Sequence, residues 1–329
     1  MKEIFLICPP TFGYYKTIVR TLEEAGYKVY WISDCPIGAS WYKVLLRLFP
    51  KAIKSLFEER FLKIIDSIDL ESASQILVVK GEALTPFLVK WMRRKFPKSK
   101  MTLYLWDSIK NVHGILDIAE LFDYVATFDM KDATKRKWGY RPLFFRDEKG
   151  GGIFSSTIIY DWCFIGTIHS DRHRIISSLR KYKNLNPFVF SYFQNFIVYL
   201  ARAICDKSIW TASFNSISFK PMDSISIKRV VSQSRSVLDV EHPMQNGFTM
   251  RTIETLMDEK KLITTNRNIL NMNLYHPSRV LIIERSNPKI DQEFLGLPFK
   301  KISNELRDYY SCRAWIDGLL QNSNDILPS

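Results

Sequence analysis

The residues best able to do chemistry in this sequence crowd into one short stretch. After the apolar run VLDV come Glu241, His242, Pro243, Met244, Gln245, Asn246, Gly247, Phe248, Thr249, Met250, Arg251, Thr252, Ile253 and Glu254. Gly247 lets a backbone approach a ligand closely. The following apolar periodicity predicts a helix, whose first free N–H groups favour an anion such as a diphosphate. Thr249 and Arg251 can add side-chain donors to that anion. Glu254, one turn into the helix, can accept both hydroxyls of a ribose. The same residues also suit a plain surface helix, with Thr249 as its cap and Arg251 and Glu254 as a solvent pair one turn apart.

A second set of polar residues stands where apolar runs end in the first half. Thr11, Gly13 and Tyr14 follow EIFLIC; Lys80 and Glu82 follow QILVV; Asp107 and Ser108 follow LYLW, with Asn111 and His113 beyond. A carboxylate or imidazole at such a position can act as a general base if it reaches the proton it removes. Asp107 is the first candidate, Glu82 the second and His113 the third. Asp107 and Ser108 equally suit a helix cap, and His113 a packed core residue.

These groups must be held by a scaffold, and the apolar pattern describes one. EIFLIC, a helical stretch KTIVRTLEEAGYK and VYWIS make a β-α-β opening, which is characteristic of a parallel sheet with helices outside it. QILVV, MTLYLW and YVATFD continue the strands to about residue 145. Residues 146–152, RDEKGGG, form the best linker in the chain. Strand and helix patterns then restart with YDWCFIGTI. They continue through NPFVFSYF, the helix SIKRVVSQSRS, VLDV, KLITTN and VLIIE, to one terminal helix over SNELRDYYSCRAWIDGLL. Two wound sheets of similar size predict a ligand cleft at the carboxyl ends of strands.

Bulk properties narrow the partners. The chain has 329 residues and a formal net charge of +13, with 25 basic and 18 acidic residues in the first 150. Dispersed positive charge suits phosphate-bearing small molecules or an anionic membrane surface; no nucleic-acid-binding module is recognisable, so nucleic acid is not expected. Five scattered cysteines with no C-x-x-C argue for a reducing compartment and against a disulfide framework or zinc site. No apolar run approaches the ~18 residues of a spanning helix. The N-terminal run is short and broken by prolines, unlike a signal peptide. These features predict a cytoplasmic protein. Residues 41–65 carry Trp41, Val44, Leu45 and Leu48 beside Lys43, Arg47, Lys51 and Lys54. They suit either peripheral contact with anionic lipid or a helix that covers the sheet.

The segment VLDVEHPMQNGFTMRTIETLMDEKKLITTN resembles the donor-binding segment of GT-B glycosyltransferases. It is most similar to bacterial surface-polysaccharide (capsule) or lipopolysaccharide biosynthesis proteins related to CgeB-type spore-maturation proteins. The resemblance implies an α/β fold of two Rossmann-like doubly wound domains facing a cleft. It also implies an N-terminal acceptor domain over 1–150, a nucleotide-sugar donor domain over 151–302, and a terminal helix over 303–329 packing back on the first domain. Glu254 matches the family's ribose-binding glutamate. Many retaining members have another glutamate eight positions earlier, where this chain has Asn246, so stereochemistry stays open. DWCFIGTIHSDRHRIISSL matches a second family feature: Gly166 and Thr167 fit the glycine loop, Arg172 the basic residue that meets the diphosphate, and Arg174 a weaker alternative. Gly13, Tyr14 and the base candidates fall on the acceptor side.

The expected substrates are a UDP- or GDP-linked sugar and a glycan or lipid-linked acceptor. No cofactor is expected. No D-x-D triplet and no His/Cys cluster occurs, which suits metal-independent transfer, with helix dipoles and basic side chains stabilising the leaving diphosphate. Two rival readings remain. A Rossmann dehydrogenase would need a G-x-G-x-x-G loop, which CPPTFGYY lacks. A non-catalytic protein of the same fold would bind a nucleotide sugar or glycan without turnover.

Overall fold

The computed structural model describes residues 2–34, 50–68, 73–112, 114–147, 157–205, 209, 216–243 and 246–322. The chain divides into two compact units, Met1–Arg146 with Asp308–Leu327, and Asp147–Arg307.

The first unit is built on strands β1 (Lys2–Ile7), β2 (Tyr27–Ile32), β3 (Gln75–Val79), β4 (Lys100–Leu105), β5 (Tyr124–Thr127) and β6 (Gly139–Tyr140). All pair in parallel, in the order β2-β1-β3-β4-β5-β6. Four consecutive residues of β1, Ile4 to Ile7, are buried, as expected for a central parallel strand with both faces covered. The helix Tyr14–Glu24 stops where Gly26 turns left-handed at φ 85°. The helix Pro86–Lys95 starts on Thr85, whose hydroxyl accepts from the Leu88 N–H, with Pro86 in the first turn. The helix Pro50–Ser67 turns Ile53, Phe57, Phe61 and Ile65 into the core. The described part of the suspected lipid-facing stretch therefore covers the sheet; Trp41, Val44, Leu45 and Leu48 lie outside the described residues.

The second unit carries β7 (Tyr160–Thr167), β8 (Pro187–Tyr192), β9 (Ile217–Ser218), β10 (Ser234–Asp239), β11 (Lys261–Thr264) and β12 (Val280–Ile282), again all parallel, in the order β12-β11-β10-β7-β8-β9. Helices Arg172–Leu179, Phe196–Cys205, Ser224–Ser232 and Met250–Met257 connect most of them. The first two pack Ile175, Ile176, Leu179, Tyr199 and Ala203 into one core with Trp162 and Phe164 of β7. The protein is thus an α/β chain of two doubly wound parallel sheets.

One expectation needs correction. The terminal stretch is two helices, Asn304–Tyr309 and Cys312–Gln321. The break arises because the Tyr310 carbonyl accepts from the Phe145 N–H at 3.1 Å and Ser311 caps the second helix by accepting from Ala314 N–H. The second helix belongs to the first unit: Trp315 meets Tyr104 edge-on at 4.9 Å and Phe144 at 4.8 Å. In addition, β6 and β9 are two-residue edge strands and Phe196–Cys205 is a helix, none of which the sequence pattern announced.

Candidate functional site

In the second unit β10 and β7 are neighbours, but the chain leaves β7 toward β8 and leaves β10 toward β11. Such a reversal opens a crevice at the carboxyl ends of the two strands, the usual ligand position in open α/β sheets. The two sequence stretches singled out for chemistry are the loops that follow these strands, so the topology brings them together.

Arg172 opens the helix after β7 and folds back across the crevice. Its Nη1 donates to the Thr167 carbonyl at 2.9 Å and its Nε to the Val240 carbonyl at 2.5 Å, tying the β7 loop to the β10 loop. Gly166 leaves room for the Phe164 ring: an added Cβ would stand 3.2 Å from it, while Arg172 Nη1, at 3.8 Å, would be in ordinary contact. The residue as a whole is half-buried, yet its guanidinium lies deep enough that burial pulls its pKa down to about 10. Arg251 and Arg285 add to that effect, while Asp239 and Glu241 oppose it.

Thr249 caps the helix Met250–Met257, accepting from Thr252 N–H at 3.1 Å. Its hydroxyl donates to Asp239 Oδ2 at 2.6 Å, and Thr252 donates to the same oxygen at 2.7 Å. The Thr249 proton is therefore directed at the end of β10, and the residue sets the angle of the helix. Gly247 is buried, and the Asn246 carbonyl accepts from Asn268 Nδ2 at 3.2 Å. Arg251 and Glu254 are half-buried on this helix. Arg174 pairs with Asp171 at 3.5 Å.

Four further residues join the crevice: Glu241 and His242 from the loop already singled out, and Arg285 and His169, to which the motifs gave no role. Arg285, just past β12, donates to Asp171 Oδ1 at 2.7 Å, to the Glu241 carbonyl at 2.8 Å and to Glu241 Oε1 at 2.5 Å. Glu241 Oε2 accepts from the buried Thr265 hydroxyl at 2.6 Å. Burial works to lower Arg285, but the Glu241 and Asp171 carboxylates outweigh it and raise its pKa. His169 and His242 face each other with ring centroids 5.6 Å apart. Burial lowers His169 to about 3, helped by Arg172, His242, Arg202 and Arg285. His169 is thus held neutral first by burial and second by neighbouring cations, and an anion bound beside it would oppose the second effect. The sequence signal for Arg285 and His169 was position alone: each stands within four residues of the carboxyl end of a strand.

In the first unit the strand order reverses between β1 and β3. Lys80 and Gly81 follow β3 in consecutive left-handed conformations, φ 75° and 70°; for a lysine this is strained backbone of the kind found at functional loops. Lys80 Nζ lies 2.7 Å from Glu82 Oε2 and 3.4 Å from Asp107 Oδ2. Burial opposes its charge, but Asp107 and Glu82 win and raise its pKa. Lys80 thus gathers the first two base candidates at one strand edge. The Ser108 hydroxyl donates to the buried Asp129 at 3.0 Å. Gly13 is left-handed at φ 75° and begins the helix whose first residue, Tyr14, packs edge-on against Phe144 at 6.1 Å. His113 lies outside the described residues. Among the described residues no group of three or more His, Cys, Asp or Glu is placed to hold a metal ion.

The class this geometry defines is a chain of two doubly wound α/β units, the second with arginines, carboxylates and two histidines gathered at its strand switch point. No protein-family model matches the sequence, and no curated protein matches it. Among solved structures, the UDP-GlcNAc 2-epimerase from Methanocaldococcus jannaschii is similar at 11% identity and TM-score 0.46, covering 98% of this chain and 100% of that one. Acinetobacter baumannii MurG is similar at 10% identity and TM-score 0.40, covering 99% and 97%. The GtfA/B complex is similar at 12% identity and TM-score 0.41, covering 80% of this chain and 59% of that one. At such scores the reading of the site rests on the chain's own geometry.

Proposed function

We propose that the protein is a GT-B glycosyltransferase that moves a sugar from a nucleotide donor to a bacterial surface glycan or lipid-linked acceptor. The observation that carries this reading is the convergence of Arg172, Arg251, Arg285, His169 and His242 on the switch-point crevice of the second sheet. Such a field suits the diphosphate of a UDP- or GDP-linked sugar, and two eight-residue helices, Arg172–Leu179 and Met250–Met257, begin there. Arg172 binds and stabilises the leaving diphosphate. Gly166 and Thr167 shape the loop, and Gly247 admits the ligand's close approach. Thr249, through Asp239, orients the second helix, from which Glu254 takes the ribose hydroxyls and Arg251 adds positive charge. The first unit recognises the acceptor, with Asp107 as the base, Lys80 holding it beside Glu82, and Gly13 and Tyr14 on the acceptor side.

The test is a panel of UDP- and GDP-sugars in a thermal-shift assay, followed by nucleotide release on addition of membrane-extracted acceptors. Stabilisation by one donor base and acceptor-dependent release support the reading. Stabilisation without release identifies a nucleotide-sugar binding protein. The absence of any shift with folded protein overturns the donor site.

A further inference from the structure

The helix Phe196–Cys205, FIVYLARAIC, has two apolar faces. The inner one buries Tyr199 and Ala203 in the core of the second unit. The outer one presents Phe196, Ile197, Leu200 and Ile204 to solvent, with Ile197 77% and Ile204 76% exposed. Spacing of one, four and eight residues from Phe196 puts these four on one stripe. The stripe continues onto Phe219, itself exposed, whose ring stands 6.0 Å from Phe196. Isolated exposed apolar residues are ordinary, but five in one contiguous patch mark an interaction surface.

The charge around the patch identifies its occupant. From Arg172 to Met222 the sequence holds eight Lys and Arg and one acidic residue, Asp206. Asp171 and Asp223 bound this stretch, and Arg172 is taken up by the crevice, so the cations that bear on the patch are the exposed ones beyond it. Lys220 follows Phe219 directly and is exposed, as are Arg174, Arg180, Lys181 and Lys183 on and after the neighbouring helix of the same sheet face. A protein partner with an apolar patch does not need this bias; an anionic bilayer does, since apolar side chains enter the acyl boundary while cations meet headgroups. At ten residues the helix is too short to span a membrane. It begins past the carboxyl end of β8, the sheet edge that carries the crevice, and Arg202 on it contributes to the positive field at His169.

We propose that the helix Phe196–Cys205 is a membrane-docking element that lies in the headgroup plane of an anionic bilayer through Phe196, Ile197, Leu200, Ile204 and Phe219. This inference goes beyond the donor-site reading and does not depend on it, because its test reads lipid binding and not turnover.

The experiment is co-sedimentation of the full chain with phosphatidylcholine vesicles and with vesicles that also contain phosphatidylglycerol. Wild type is expected to bind the mixed vesicles, to bind the neutral ones far more weakly, and to release in high salt. Ile197→Asp/Ile204→Asp is expected to lower the partition coefficient at least tenfold; Ile197→Ser/Ile204→Ser, milder toward the fold, should lower it in the same direction with an unchanged melting temperature. Absence of binding to the mixed vesicles overturns the proposal, as does a serine variant that binds like wild type. So does a wild-type dimer in light scattering that the serine variant dissociates, since the patch is then covered by a second copy.

Discussion

Arg172 offers a way to separate a binding role from a structural one. Its pKa falls well below the usual guanidinium value, to about 10, which amounts to ~3 kcal/mol of net opposition to its charge in the ligand-free protein. Against that stand two hydrogen bonds to the Thr167 and Val240 carbonyls, worth about 1.5–3 kcal/mol each as charged contacts. For Arg172→Met the two effects nearly cancel, so unfolding free energy should change by no more than ~3 kcal/mol. Diphosphate binding has no such cancellation: truncating one partner of a desolvated charge pair costs about 2–5 kcal/mol, a loss of roughly 30-fold or more in affinity. Calorimetric titration with UDP and GDP, paired with urea unfolding of the same samples, measures both quantities. Arg172→Lys keeps the charge without the two-armed bridge and should fall between. An unchanged Kd in a folded Arg172→Met protein would refute the assignment; a collapse of stability with no separable effect on binding would make Arg172 a loop tie and nothing more.

Glu254→Gln should weaken nucleoside diphosphate binding about tenfold, equivalent to ~1.4 kcal/mol, while inorganic diphosphate binding stays unchanged; equal losses for both ligands would remove the ribose role. Asp107→Asn should lower kcat by about 10²–10⁴-fold with little change in donor KM if Asp107 is the base, and Glu82→Gln should have the smaller effect; the reverse order in steady-state kinetics would exchange their roles. His169, with its pKa lowered from 6.5 to about 3, is neutral in the folded protein where the unfolded chain is protonated. Its contribution to stability is therefore complete above pH 6.5 and is lost as pH falls toward 3; His169→Gln should flatten a melting-temperature profile across that window, and bound nucleotide should cause proton uptake. Thr249→Ala removes a cap worth about 1 kcal/mol and one of two hydroxyls on buried Asp239, so urea unfolding should register a loss of ~1–3 kcal/mol.

The wound sheets were legible because central parallel strands are continuous apolar runs: Ile4–Ile7 and Ile76–Val79 are buried throughout. Two-residue strands such as Gly139–Tyr140 carry no period and leave no trace. Phe196–Cys205 escaped because it is apolar on both faces, so helical periodicity has no polar side against which to register. The break at Tyr310 was illegible for another reason: it depends on Phe145, far away in sequence. At the crevice, the chain order gave the loops, but the pairing of residue with residue did not follow from it. Thr249 is aimed at Asp239, ten positions earlier, and Arg285 is joined to Asp171 and Glu241 across more than forty.

The return of the chain to the first unit bears on how it is made. Tyr104 and Phe144 leave the ribosome long before Trp315, the side chain that covers them. At a translation rate of about 5–20 residues per second, the intervening stretch takes on the order of ten to thirty seconds to synthesise. During that interval the nascent first unit presents an uncovered aromatic face, a natural point of engagement for a chaperone. Emergence of Trp315, not completion of the sixth strand, is the event that closes its core.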